Sequence, residues 1–440
     1  MAFLRSRRYL SSMNIIASIL LFLTAVLAAI VANSPLAPYY HDFLSMKVHL
    51  QIGDFNLFSH GGHPLTVLHL INDGFMAIFF LSVGLEIKRE LLVGELSSFR
   101  KASLPFIAAC GGMIIPIFIY AYICPPGAPG AEGLAIPMAT DIAFSLGVLS
   151  LLGQRVPLFL KIFLTAFAVI DDIGGILVIA IFYSLHVEIS YLLWAVLIFV
   201  ILYFIGKRKT VNKTVFVLGG IIAWFLFLQS GIHSTIAGVI LAFVIPVKPR
   251  LNVGKYVERV RRVIHTFPAM SDDSIVLSSQ QIAKLKRVES ASGRVIGTLQ
   301  SLEDKLHNTV SFFVLPLFAF ANAGVVFSGG SGELLGPVAI GIAAGLIIGK
   351  FVGIFGFTWL AIKSKLIPMP FGMNWKNLAG VSLLGGIGFT VSLFIANLSF
   401  GDTDLVLLNQ AKLGVLFGSI LAGFFGFMIL YWVLPKKQVR

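Results

Sequence analysis

Charged side chains are scarce in this chain. Asp, Glu, Lys and Arg make up 12% of its 440 residues, hydrophobic residues make up 57%, and the mean hydropathy is +0.93. A water-soluble domain carries about one charged residue in four, so a soluble enzyme and a cytosolic binding module are both excluded. Cysteine is almost absent. Cys110 and Cys124 form no C-x-x-C pair, which excludes a disulfide framework and a thiolate metal site, and no cofactor is expected. Acids are fewer than bases, 20 against 33, for a net charge of +13. The bases sit in loops between apolar runs, which argues against nucleic acid and fits the Lys and Arg bias of cytoplasmic loops in membrane proteins. No small-x-small cleavage site follows the first apolar run, which leads into Asn33-Ser34-Pro35. That run is expected to be a span rather than a leader.

Apolar runs recur along nearly the whole chain and predict an all-α polytopic membrane protein, one transporter domain over residues 1–440. Twelve spans are expected, over residues 12–31, 65–83, 102–122, 134–152, 157–183, 191–205 and 215–228, an eighth from His233 to before Pro246, then 310–326, 337–362, 378–397 and 413–434. This count places both termini and nearly every basic cluster, from Arg5, Arg7 and Arg8 to Lys436-Lys437, on the cytoplasmic side. Val48-His49-Leu50-Gln51-Ile52, a Gly53-Asp54 turn and Phe55-Asn56-Leu57-Phe58 predict a small outer β-hairpin. Residues 247–307 are the one long hydrophilic stretch. Ile282, Leu285, Val288, Val295, Leu299 and Leu302 recur there at helical spacing, with Ser278 and Ser279 as N-caps. A cytoplasmic helix leading into the ninth span is expected.

The chain is organised around Ala166-Phe167-Ala168-Val169-Ile170-Asp171-Asp172-Ile173-Gly174-Gly175. Two adjacent carboxylates lie inside an apolar run long enough to cross a bilayer. A charge at that depth costs about 2.5–3.5 kcal/mol on insertion scales, so the pair points to an ion or proton site. Neighbouring helical residues point about 100° apart, which gives Asp171 and Asp172 different neighbours and two roles. Asp141 and Lys350 are the other deep charges. The fourth span is interrupted near Pro137, before Thr140-Asp141, and the eleventh at Gly385-Gly386-Ile387-Gly388. Broken helices are tolerated at depth where they line a cavity or are buried in protein, and their free ends present dipoles that hold ions. Spans three to five and ten to twelve share the order plain, broken, plain, the pattern of an inverted-topology repeat with two crossing broken helices. Carboxylate and hydroxyl oxygens of Asp172, Asp141 and Thr140 suit a small hard cation. A buried Asp171–Lys350 pair can exchange a proton, and sodium and protons competing for one site is antiport in its simplest form. Rival readings stand beside these. Asp141 also fits a helix-end role, Thr140 a backbone-bonding hydroxyl, Lys350 a snorkelling lysine, and His233 a plain interfacial histidine.

The chain resembles the NhaA-type sodium/proton antiporters. The resemblance rests on Asn72-Asp73-Gly74 through Gly84-Leu85-Glu86-Ile87-Lys88-Arg89-Glu90, Pro137-Met138-Ala139-Thr140-Asp141-Ile142-Ala143-Phe144, Ile170-Asp171-Asp172, Ser230-Gly231-Ile232-His233, Leu315-Pro316-Leu317-Phe318-Ala319-Phe320-Ala321-Asn322-Ala323-Gly324, Gly349-Lys350 and Gly386-Ile387-Gly388-Phe389-Thr390. It implies that Asp172 is the main cation ligand and that Asp171 pairs with Lys350 and helps carry protons. Thr140 and Asp141 lie at the crossing, and Asp73 on the outer pathway. Glu86, Glu303, His307 and His233 match positions tied to pH response. The resemblance implies electrogenic, pH-regulated Na⁺(Li⁺)/H⁺ exchange by alternating access in a bacterial inner membrane, and a homodimer through the outer hairpin. The stretch 247–307 is longer than the family's usual link. Rival functions are a sodium-coupled solute symporter, which needs a larger polar cavity, and an intramembrane aspartyl protease. The protease needs two aspartates on separate spans and typically a Gly-x-Gly-Asp motif, whereas here Phe389 follows Gly386-Ile387-Gly388.

Overall fold

Lipid offers the backbone no hydrogen-bond partners, so each apolar run must close its own bonds as a helix. The computed structural model describes residues 2–49, 51–52, 55–56, 59–60, 63–183, 187–208, 213–247, 253–267, 278–327, 335–401 and 403–435. Its helices are α1 (Ala2–Ala32), α2 (Ala37–Ser45), α3 (Val67–Val93), α4 (Phe99–Ile123), α5 (Ala131–Leu151), α6 (Leu158–Phe182), α7 (Ile189–Gly206), α8 (Lys213–Ser230) and α9 (Thr235–Val244). Then come α10 (Val253–His265), α11 (Ser279–Val295), α12 (residues 298–322), α13 (Pro337–Lys363), α14 (Trp375–Leu384), α15 (Phe389–Phe400) and α16 (Leu405–Val433).

Nine described helices are long and apolar enough to cross a bilayer, or ten if the bent pair α14 and α15 is one span. The expected count of twelve exceeds this by two, for physical reasons. α9 is apolar but has ten residues, too few to cross alone. The ninth apolar run shares α12 with a polar first half, Thr298–Thr309. In the segment between α1 and α3, Gln51–Ile52 pairs antiparallel with Phe55–Asn56, and Ser59–His60 with His63–Pro64. Leu50, Gly53, Asp54, Leu57 and Phe58 of the expected hairpin lie outside the described residues. α2 was not expected there. Its Tyr40 hydroxyl donates to the carbonyls of Phe320 (2.6 Å) and Ala321 (3.2 Å), tying it to the end of α12.

The hydrophilic stretch is more divided than its spacing predicts. Ser278 does cap α11, in a reciprocal box with Gln281. The helix then stops at Ile296-Gly297, and Leu299 and Leu302 belong to α12, where they are buried. Helix α10 lies in the same stretch and was not anticipated.

Two breaks and two apolar clusters position the centre of the molecule. α5 runs as a 3₁₀ helix over Ala131–Met138, is extended at 139–141, and resumes as Ile142–Leu151. α14 and α15 are bent by 43° across residues 385–388. One cluster packs α3 with α7, α8, α9 and the start of α12, through Leu85, Phe199, Phe216, Phe227, Leu241 and Leu302. A larger one joins α4, α5, α6 and α13 to α16 with α1 and the rest of α12. α4 and α13 touch backbone to backbone. A Cβ on Gly353 would sit 2.1 Å from the Gly111 carbonyl oxygen, whereas one on Gly356 would meet nothing within 4 Å. Overpacking a close contact costs about 1–3 kcal/mol. Gly353→Ala should therefore lower the thermal unfolding midpoint in detergent, and Gly356→Ala should not.

Candidate functional site

Asp171 and Asp172 lie midway along α6 and are 2% and 6% exposed. Asp171 turns toward α13, where Lys350 Nζ donates to its Oδ2 at 2.7 Å, with both side chains fully buried. Lys350 Nζ also sits 5.5 Å from the ring centroid of Phe167, one turn before Asp171 on α6. Lys350 follows a wide π-helical turn at Gly345–Gly349. A Cβ on Gly349 would lie 2.7 Å from the Pro116 Cα, so glycine lets α13 lie against α4. The buried lysine is thus held by packing and does not snorkel. Asp171 Oδ1 is buried without a hydrogen-bond partner, and the Thr140 side chain lies beside this carboxylate.

Asp172, about 100° round the helix, has no ion-pair or hydrogen-bond partner among the described residues. Its charged neighbours are Asp171, Glu86, Asp141 and Lys350. The Asp171–Lys350 pair is neutral as a unit. Asp172 is therefore the uncompensated carboxylate of the site, and one proton or one monovalent cation neutralises it. No cluster of three His, Cys, Asp or Glu side chains that could hold a resident metal occurs among the described residues.

The two breaks cross beside this pair and satisfy each other. The Asp141 backbone N–H donates to the Ile387 carbonyl at 2.6 Å. Thr140 and Ser145 donate their hydroxyls to the Gly385 (2.7 Å) and Leu384 (2.9 Å) carbonyls, the orphan acceptors at the end of α14. Asp141 Oδ1 accepts from the Phe144 N–H at 2.9 Å. Its Oδ2 accepts from the Thr390 N–H at 3.2 Å and hydroxyl at 2.5 Å. One carboxylate thus caps two helix N-termini, where partial positive charge favours it. The helix-end reading of Asp141 and the backbone-bonding reading of Thr140 describe what these groups do here. Lys350 faces Asp171 rather than a dipole end. Asp141 is also too committed to share a water with Asp172 in the manner of an aspartyl protease.

The remaining expected residues lie above and below. Asp73 falls in a π-helical turn of α3, Ile71–Phe75, and its carbonyl accepts from the Trp224 indole (3.1 Å) and the Ser234 hydroxyl (3.3 Å). The His233 ring meets the Phe394 ring edge-on at 6.5 Å. At the opposite end of α3, Arg89 gathers three carboxylates: Glu303 at 2.7 Å, Glu90 at 2.9 Å and Glu86 at 3.9 Å. Lys88 binds the terminal carbonyls of α9 at Ala242, Phe243 and Ile245. Glu86 and Glu303 are thus brought together, whereas His307 is exposed one turn beyond Glu303 and makes no ion pair with the cluster.

The chain matches the model of the family described as Na+/H+ antiporter 1 over residues 8–430. It belongs to that family. Proteins named Na(+)/H(+) antiporter NhaA from Bacteroides fragilis and Bacteroides thetaiotaomicron are each 69% identical to it over 438 residues, covering 100% of both chains. A namesake from Phocaeicola vulgatus is 56% identical over 422 residues, 96% of this chain and 94% of the relative. The antiporter family is one of transporters, not of enzymes, and its homologues together with the apolar helices make this a multi-pass membrane protein.

Within this antiporter frame, sequence reasoning missed a chain of amides, two of them buried and the third, Asn397, half-buried. Asn397 Nδ2 donates to Asn322 Oδ1 at 2.8 Å, and Asn322 Nδ2 donates to Asn72 Oδ1 at 2.8 Å. The chain links α15, α12 and the π-turn of α3. Amides inside apolar runs are the signal that could have found it, since a buried polar group must be partnered. The antiporter's Asp171–Lys350 pair yields a direct test. Removing one partner of a buried pair costs about 3–5 kcal/mol, while replacing both by apolar groups is often neutral. Lys350→Met and Asp171→Leu should each lower the unfolding midpoint strongly, and the double variant should recover most of the loss.

Proposed function

We propose that the chain exchanges cytoplasmic Na⁺ or Li⁺ for protons by alternating access around Asp172. The observation that carries this reading is an unpaired, nearly buried carboxylate beside a neutral Asp171–Lys350 pair, at the crossing of two broken helices. Asp172 offers carboxylate oxygens to a hard monovalent ion. Sodium binding and protonation then exclude each other at that carboxylate. Asp171 and Lys350 form a second proton-bearing unit, since separating the pair lets the lysine release and later regain a proton. One cation opposed by more than one proton makes the cycle electrogenic, and each net charge moved couples to about 2.3 kcal/mol per 100 mV. Thr140 and Asp141 hold the crossing, and Thr140, beside Asp171, lies close enough to the pair to help order the ion.

The twelve-span count, with α9 and α12 as the eighth and ninth spans, belongs to the same proposal. So do the inverted repeat of spans three to five and ten to twelve, the single-domain organisation, the inner-membrane location with both termini cytoplasmic, and the homodimer through an outer β-hairpin. The close packing of α4 on α13 and the mutual capping of the two breaks support the repeat. The Glu86–Arg89–Glu90–Glu303 cluster supports a pH response at the inner entrance, with His307 beside it, and Asp73 and His233 mark the outer route.

Inside-out vesicles from cells lacking their own antiporters, with an acid-inside gradient, test the reading. Na⁺ and Li⁺ should collapse the gradient and K⁺ should not, and Asp172→Asn should abolish the effect. Absence of cation-dependent collapse at every pH overturns it. In proteoliposomes, an imposed membrane potential should change the exchange rate, and voltage-insensitive exchange would rule out a charge-moving cycle.

A further inference from the structure

The described helices of the hydrophilic excursion between α9 and α12 supply none of the residues that meet at the candidate site. Its two described helices, α10 and α11, pack against each other. On α10, Val253, Tyr256, Val257, Val260, Val263 and Ile264 recur at intervals of three and four and form one stripe. Tyr256, Val260 and Val263 are half-buried. Val253, Val257 and Ile264 are 58%, 50% and 68% exposed. On α11, Ile282 and Leu285 are exposed as well. The same two helices carry seven described basic side chains, Lys255, Arg259, Arg261 and Arg262 on α10 and Lys284, Lys286 and Arg287 on α11, with only Glu258 and Glu289 as acids. Among the described residues none of these charges is in an ion pair. Asp272 and Asp273 fall in the connecting stretch, outside the described residues.

Both ends of the excursion meet at one point. A Cβ on Gly297 would lie 2.7 Å from the Val247 carbonyl oxygen, so the chain returns to the place it left. That place adjoins the end of α9, whose terminal carbonyls Lys88 holds at the charged end of the membrane-spanning α3. The helix pair is therefore tethered at the membrane boundary, with an exposed apolar stripe and a strong excess of unpaired bases.

We infer that α10 and α11 form a basic amphipathic hairpin that lies on the anionic phospholipid headgroups of the adjoining leaflet. Apolar side chains enter the headgroup boundary while the flanking bases meet lipid phosphate, the arrangement of an interfacial helix. Nucleic acid would use the bases but leave the apolar stripe in water. The excess of positive charge matches an anionic lipid surface, and the tether keeps the stripe within reach of it. The inference depends on the chain being membrane-embedded and not on its ion specificity.

The test uses the full chain in nanodiscs of phosphatidylcholine alone or of phosphatidylcholine with phosphatidylglycerol. On the wild type, trypsin cleavage at Arg259, Arg261 and Arg262 should be slowed about tenfold or more by the anionic lipid, with protection lost at high salt. In a Cys110→Ala, Cys124→Ala background, nitroxide labels at Val257→Cys and Ile264→Cys should collide with oxygen rather than with a water-soluble nickel chelate when anionic lipid is present. A label at Arg262→Cys, on the opposite face, should stay water-accessible. Cleavage rates that do not depend on lipid charge overturn the inference. So do labels at 257 and 264 that remain in water, or that are shielded from both probes and so covered by protein.

Discussion

A charged side chain in a bilayer must be neutralised, and in this antiporter Asp171 and Lys350 do that for each other at 2.7 Å with both side chains fully buried. Neither charge would persist there alone, because desolvation of an unpaired ion costs several kcal/mol. The pairing assigns the neighbouring residue its role. With the Asp171 charge paired, Asp172 is the neighbouring carboxylate left without an ion-pair partner among the described residues. The packing of α13 on α4 serves this pairing, since Lys350 reaches α6 only because glycine lets the two backbones touch.

A second constraint, the backbone's need for partners in a dry interior, explains the crossing. Each break frees carbonyls at one helix end and N–H groups at the next. Water would satisfy them in a soluble protein. Here α5 and the α14–α15 pair satisfy one another, with Thr140 and Ser145 donating to free carbonyls and Asp141 accepting from free N–H groups. The crossing can therefore sit at membrane depth, next to the Asp171–Asp172 pair, without being filled by apolar packing.

Much of the candidate site was legible in one dimension, because deep charges and helix breakers are rare in apolar runs and each has a physical price. Asp171, Asp172, Lys350, Asp141, Thr140 and both breaks stood out on that ground. The amide chain through Asn72, Asn322 and Asn397 was not read, since an uncharged amide disturbs hydropathy little. The division of residues 247–307 was missed for a related reason. The spacing of Ile282, Leu285, Val288, Val295, Leu299 and Leu302 carries across Ile296-Gly297, but Gly297 has to meet Val247, a contact set by a distant strand of chain.

By itself the sequence determined the class of the molecule, an all-helical membrane protein with carboxylates at depth, and its family, because length and polarity of each run act locally. Only the tertiary structure decided which aspartate is paired and which is open, that Asp141 caps two helices, and that Glu86 and Glu303 share Arg89 while His307 does not. Those outcomes depend on the directions in which side chains from separate helices meet, and hydropathy along a chain carries no information about direction.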